Sequence, residues 1–255
     1  MGFIVDLGRY IGGLLVLSIA ALFSGIALIP PYLLFAFVDE RYGRLWAVAT
    51  TPFGYVLWGF GLCLLIIAYK RLTFYKLREG SFHIYTCPII QWGITGFLSL
   101  FAHAVFVQFL RSTPYINWWY RGLGAKIGRR VNIQTTFLSD WDLITIGDDT
   151  TLGGECAVIC HVFEMGQIKL MPVTIGKSVT IGRATTVFPG VTIGDRAVVG
   201  GHSLVTKGKH IPANTIWAGA PAEFIRERTK KDDPKDDPLA KERSHDEKRT
   251  ESVEA

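Results

Sequence analysis

Ile175-Gly176-Lys177-Ser178-Val179-Thr180-Ile181-Gly182-Arg183-Ala184-Thr185-Thr186-Val187-Phe188-Pro189-Gly190-Val191-Thr192-Ile193-Gly194-Asp195-Arg196-Ala197-Val198-Val199-Gly200-Gly201-His202-Ser203-Leu204-Val205 carries an aliphatic residue at every sixth position. Ile175, Ile181, Val187, Ile193, Val199 and Val205 form the uninterrupted series. Ile146, Leu152 and Val158 form an earlier one, and Ile127 and Ile133 begin a third. A glycine follows most of these residues. A small or β-branched residue stands four places on, as at Val131, Thr150, Cys156, Val179, Thr185, Ala197 and Ser203. A period of six suits neither an amphipathic helix nor a simple alternating strand. It suits a triangular coil in which three hexapeptides make one turn and the aliphatic residues stack inward from coil to coil. No single repeat can bury its apolar face alone, so the coils must stack. Glycine is expected at the corners, where the backbone path is tight.

Outward from this repeat the composition changes twice. The chain has 255 residues, 49% hydrophobic and 19% charged, with a net charge of +5. Its mean hydropathy of +0.27 is too apolar for an ordinary soluble domain. Residues 1–110 hold only seven Lys/Arg and four Asp/Glu, whereas residues 226–255 hold nine and ten. A single homogeneous domain is thereby excluded. So is a disulfide scaffold, since Cys63, Cys87, Cys156 and Cys160 are scattered. The modest positive charge fits a surface near a membrane and no nucleic-acid partner.

Three uncharged apolar runs occupy residues 10–38, 45–69 and 88–110. About 20 such residues span a bilayer core. Pro30 and Pro31 are expected to kink or end the first helix. Basic residues flank the second run (Lys70, Arg71, Lys76, Arg78) and the third (Arg111, Arg121, Lys126, Arg129, Arg130). The positive-inside rule wants both flanks in the cytoplasm. Three full crossings would separate them, whereas two crossings plus a third element lying in the membrane would not. The third run also holds Gln91, His103 and Gln108. His103 is either functional or hydrogen-bonded between helices. The expected division is a membrane part over 1–110, a coil domain over 111–226 and a charged, disordered tail over 227–255.

The run Pro172-Val173-Thr174-Ile175-Gly176 through Gly219-Ala220-Pro221-Ala222 resembles the hexapeptide-repeat acyltransferases. Further matches come from Arg121-Gly122-Leu123-Gly124-Ala125-Lys126-Ile127-Gly128-Arg129-Arg130-Val131, Thr135-Thr136, Asp142-Leu143, His161-Val162-Phe163-Glu164, Lys207-Gly208 and Trp217. These are similar to the membrane-associated, acyltransferase-like C-terminal domains of ε-poly-L-lysine synthase and of nonribosomal peptide synthetase tail proteins. The resemblance implies transmembrane α-helices followed by an all-β left-handed parallel β-helix, assembled as a homotrimer. It implies acetyl-CoA as the acyl donor, no metal, and a hydroxyl or amine acceptor that is lipid-linked, polysaccharide or polymer-derived. A carrier-protein thioester donor and a non-catalytic membrane scaffold are the alternatives. The metal-dependent relatives on this fold need a nearby histidine pair, and no histidine follows His161 until His202.

Acyl transfer needs a base for the incoming nucleophile, and histidine suits neutral pH. His161 stands at the third position after Val158, so it should point away from the aliphatic column. Residues 164–171 then break the period, as a projecting loop would. Both features match the catalytic histidine of the family. Glu164, Asp140, Asp142 and Glu155 are the carboxylates able to orient its other ring nitrogen, with Glu164 nearest in the chain. The family pattern places the CoA arm between subunits along the last coils, at Gly201, Thr206, Lys207 and Arg226. His202 is a surface or channel residue on this reading. Trp217 either stacks on adenine or caps the last coil.

Overall fold

The computed structural model describes residues 2–73, 76–83, 86–229 and 232. Six helices lead the chain: α1 (Gly2–Ala27), α2 (Ile29–Tyr42), α3 (Arg44–Ala49), α4 (Thr51–Leu72), α5 (Cys87–Val105) and α6 (Pro114–Gly122). The first apolar run breaks at Leu28, and the prolines sit in the first turn of α2. There their missing N–H groups leave no helical bond unmade. α4 packs against α1, α2 and α5. Two helical stretches, Gly12–Tyr42 and Thr51–Leu72, are long and apolar enough to cross a bilayer, and Ile89–Val105 is shorter.

The coil begins at Lys126. Its first face stacks Lys126–Ile127, Ile144–Ile146, Val173–Ile175, Thr192–Ile193 and His210–Ile211 as parallel strands. The second stacks Asn132–Ile133, Thr151–Leu152, Thr180–Ile181, Val198–Val199 and Thr215–Ala218, closed by antiparallel Glu223–Glu227. The third stacks Phe137–Leu138, Ala157–Val158, Thr186–Val187 and Leu204–Val205. The register pairs the aliphatic residues directly, as in Ile133 with Leu152 and Val187 with Val205. Nearly all are fully buried, with the small residues four places on beside them. Trp217 takes the aliphatic place in the last coil, opposite Val199, with Phe224 edge-on to its ring.

The glycines have a different reason from the one expected. A Cβ on Gly147 would lie 2.6 Å from the carbonyl carbon of Gly176, and one on Gly182 would lie 2.3 Å from the nitrogen of Gly201. These glycines exist because the next coil passes too close for a side chain. The left-handed backbone falls two residues later, on Asp149, Glu155, Ser178, Ala184, Arg196 and His202. The steric penalty of that conformation is tolerated at one residue per corner, and the stacked coils hold it.

The period is interrupted where expected. Ile146 and Ile175 are stacked neighbours 29 positions apart, against 18 for Ile175 and Ile193. The extra chain forms an antiparallel hairpin of His161–Glu164 with Gln167–Leu170. Met165 and Gly166 at its tip have φ of 50° and 73°, the pairing a tight two-residue turn requires. A third strand was not foreseen. Gly80–His83, from the basic connection between α4 and α5, pairs with Gln167–Leu170. Of the charged tail, only 227–229 and Asp232 lie among the described residues.

Candidate active site

The site is built where the third face turns toward the first. Asp140 follows Phe137–Leu138 in a left-handed conformation, φ 61°. Its side chain is wholly buried, and it faces His161 one coil further on. His161 Nδ1 donates to Asp140 Oδ2 at 2.7 Å. The same oxygen accepts from the Cys160 N–H at 3.1 Å and the Ser139 hydroxyl at 3.3 Å. Oδ1 accepts from Trp92 Nε1 at 2.6 Å. A carboxylate only accepts hydrogen bonds. In the neutral ring the proton of His161 therefore sits on Nδ1, which leaves the Nε2 lone pair available, as a general base requires.

The other three carboxylates are engaged elsewhere. Asp142 pairs with Lys70 at 2.8 Å, and both side chains are buried. It also accepts from the Leu77 N–H. Glu155 pairs with Arg183 at 3.1 Å on the surface. Glu164, the carboxylate nearest His161 in the chain, pairs with Lys169 at 2.8 Å and with Lys207. Lys169 and then Lys207 hold its carboxyl down to about 2. The ring nitrogen of His161 thus takes Asp140, because stacking brings residues 21 apart to one corner, while Glu164 fastens the hairpin to a later coil.

Thr206 and Lys207 lie at the same edge of the prism as His161. Gly201 and His202 are at a different corner, and both are exposed. Arg226 sits in the closing strand and pairs with Asp232 through two contacts of 2.7 Å. These four expected donor contacts do not converge within one prism. His103 accepts from Trp119 Nε1 at 3.1 Å, the hydrogen-bonded alternative of the two. No cluster of three metal-ligating side chains occurs among the described residues. Burial pushes the Cys156 thiol up to about 12, and raises that of Cys160 further, so neither is a ready thiolate.

Trp92 had no sequence signal. It is a tryptophan in an apolar run, and only the docking of α5 onto the coil places its N–H on Asp140. Its ring lies edge-on to His161, centroids 5.2 Å apart, and Phe163 stands 5.7 Å away on the imidazole. A cavity of about 490 Å³ opens between α5 and the third face, with His161, Asp140 and Trp92 in its wall.

No family model matches the chain. It is 30% identical over 176 residues to the delta-poly-L-ornithine synthetase of Acinetobacter baumannii (strain AB307-0294), covering 69% of this chain and 13% of that protein. It is 32% identical over 136 residues to the putative acetyltransferase YvoF of Bacillus subtilis (strain 168), covering 51% of this chain and 78% of that one. Among solved structures, the hexapeptide-repeat-containing acetyltransferase VCA0836 of Vibrio cholerae is similar with a TM-score of 0.38 at 25% identity, over 42% of this chain and 65% of that one. The chain thus spans a small part of the synthetase and most of the Bacillus protein. With that likeness carried on the six-residue period and its three stacked faces, the chain belongs to the hexapeptide-repeat acetyltransferases.

Proposed function

We propose that the chain is a membrane-anchored acyltransferase that moves an acetyl group from acetyl-CoA to a hydroxyl or amine of a membrane-associated acceptor. The observation that carries this reading is the His161–Asp140 contact at the wall of a cavity. His161 Nε2 takes the acceptor's proton as its oxygen or nitrogen attacks the thioester carbonyl. A backbone N–H stabilises the oxyanion that forms. Collapse expels the CoA thiolate, which receives the proton back from the imidazolium. Asp140 keeps the ring in the required tautomer and offsets the imidazolium charge. Glu164 acts at one remove by holding the hairpin on which His161 stands.

Gly201, Thr206, Lys207 and Arg226 would contact the donor where neighbouring prisms of a homotrimer meet. Lys169 and Lys207 outnumber Glu164 at their edge, which leaves net positive charge for an anionic donor. The membrane reading is supported by the large apolar side chains that α1, α2 and α4 expose, including Leu14, Leu22, Leu33, Phe37 and Phe53. On this reading the membrane is the inner one and the coil and the 70–87 segment face the cytoplasm, the side that the basic flanks favour.

A second reading has an observation in its favour. The match to the ornithine synthetase covers 176 residues, more than the coil alone supplies. On that reading the donor is a carrier-protein thioester and the acceptor an amine. Competition between CoA and an acylated carrier protein for the same site separates the two.

The test is acetyl incorporation from labelled acetyl-CoA into membrane lipid and polymer fractions. His161→Ala should lower kcat by about 10²–10⁴-fold, the usual contribution of positioned proton transfer, with donor affinity unchanged. His202→Ala should leave kcat nearly intact. Normal turnover by the first variant and a dead second variant would move the site to the C-terminal coils.

A further inference from the structure

The cavity beside His161 has a composition that constrains its occupant. Its walls are Phe137, Leu138, Ala157 and Ile159 of the first two coils, and Phe97 and Leu100 of α5. Gly93 and Gly96 of α5 also line it, and a Cβ added to either would meet no atom within 4 Å. Open space therefore reaches the helix backbone. At about 490 Å³ it lies within the roughly 300–1,000 Å³ of small-molecule sites. Leu100 and Phe137 are 64% and 59% exposed, so the carbon wall continues outward from the cavity.

Most polar side chains lining it already have partners. Trp92 Nε1 is on Asp140, Trp141 Nε1 on the Leu138 carbonyl at 2.7 Å, and Thr95 Oγ1 on the Gln91 carbonyl at 3.0 Å. Lys70 is on Asp142, and His103 accepts from Trp119. A sugar buried here would leave hydroxyls unsatisfied, which is costly. Three groups remain open to a ligand. Two are His161 and the half-buried Thr136 on the coil side. The third is Ser99, whose hydroxyl is buried with no partner among the described residues, on the α5 side of the cavity.

We infer that this cavity seats the hydrocarbon chain of the acceptor. The acceptor is an amphiphile, with its hydroxyl or amine at His161, its chain along α5 past Gly93 and Gly96, and Ser99 able to bind an oxygen on that chain. The inference rests on His161 as the base of an acetyl transfer. It assigns the chain to the acceptor because the cavity lies against the first two coils, whereas the donor is proposed to run along the last.

The experiment uses the full chain in amphipol. Acetyl-CoA is offered with n-alkylamines from butyl to dodecyl, and released CoA thiol is followed. In parallel, binding of dansylated undecylamine is read by fluorescence in the native chain and in His161→Ala. The kcat/KM should rise about fourfold per added methylene until the cavity is filled. Gly96→Phe should flatten the series and weaken the probe at least tenfold. Leu100→Asn, on the exposed rim, should do the same more mildly and covers the case that Gly96→Phe fails to fold. A flat native series, or undiminished probe binding in both variants, overturns the inference. So does a chain preference that appears only in long-chain acyl-CoA with butylamine, since the chain then belongs to the donor. If the probe binds native chain and His161→Ala alike, and is lost in Gly96→Phe without any transfer, the cavity assignment stands and the acetyl-transfer reading falls.

Discussion

Asp140 gathers four donors, from Trp92, His161, Cys160 and Ser139. An isosteric Asp140→Asn keeps the bond from Trp92 but turns an N–H toward the imidazole. That favours the ring tautomer with its proton on Nε2, which is no longer a base. The expected outcome is a kcat about 10²–10⁴-fold lower. It should come with about 1–3 kcal/mol of lost stability from the Cys160 N–H left without a partner. Steady-state kinetics and thermal melting measure the two separately, and a variant with native kcat would exclude Asp140 from the reaction. The place of His161 beside the inserted hairpin was legible, because the period breaks there. Its partner was one of four carboxylates in the sequence, since only stacking, not chain distance, ranks them. Trp92 was not legible at all.

The hairpin, the helices and the coil turns differ in how far the sequence revealed them. Most of the inward series was readable, because each hexapeptide repeats one steric requirement. Leu138, one place out of step with Ile133, and Ile211 stack in the same columns and were not read from the period. The glycines were readable as positions, but their cause emerged only from the spacing between coils. That cause makes a sharp prediction. Gly182→Ala drives a methyl to 2.3 Å from the nitrogen of Gly201, backbone that cannot turn aside. It should cost about 3 kcal/mol or more, the upper end of overpacking penalties. Gly154→Ala, whose Cβ would meet only the Gln134 carbonyl at 4.0 Å, should cost less than about 1 kcal/mol. Equal melting temperatures for the two variants would refute crowding as the cause. The Gly80–His83 strand was hidden for another reason. A four-residue strand in a basic connection has no apolar alternation, and its partner is far along the chain.

At the scale of the molecule, the helical half and the coil share one boundary. Lys70 at the end of α4 meets Asp142, and Arg71 donates to the carbonyls of Gly122 and Arg121 at 3.1 and 3.2 Å. A buried pair of this kind is costly to break from one side, roughly 3–5 kcal/mol, which fixes how α4 and the coil meet. Assembly is the property a single chain leaves least visible. The expected trimer should show the mass of three chains by detergent-corrected light scattering. If the site is shared between prisms, trimers mixed from His161→Ala and Arg226→Ala chains should be more active than either variant alone. A fully active monomer would defeat the shared site.

The strand Gly80–His83 has a consequence for solubility. It covers the outer edge of Gln167–Leu170, whose backbone would otherwise face solvent unpaired. A chain shortened to begin at residue 111 would lose that cover along with Trp92. The bare edge, beside the fully exposed Met165 and the apolar Phe163, would be a template for strand-to-strand aggregation. Cutting away the helices to obtain a water-soluble protein would thus trade a greasy surface for a sticky one, and keeping residues 76–105 is what would prevent it.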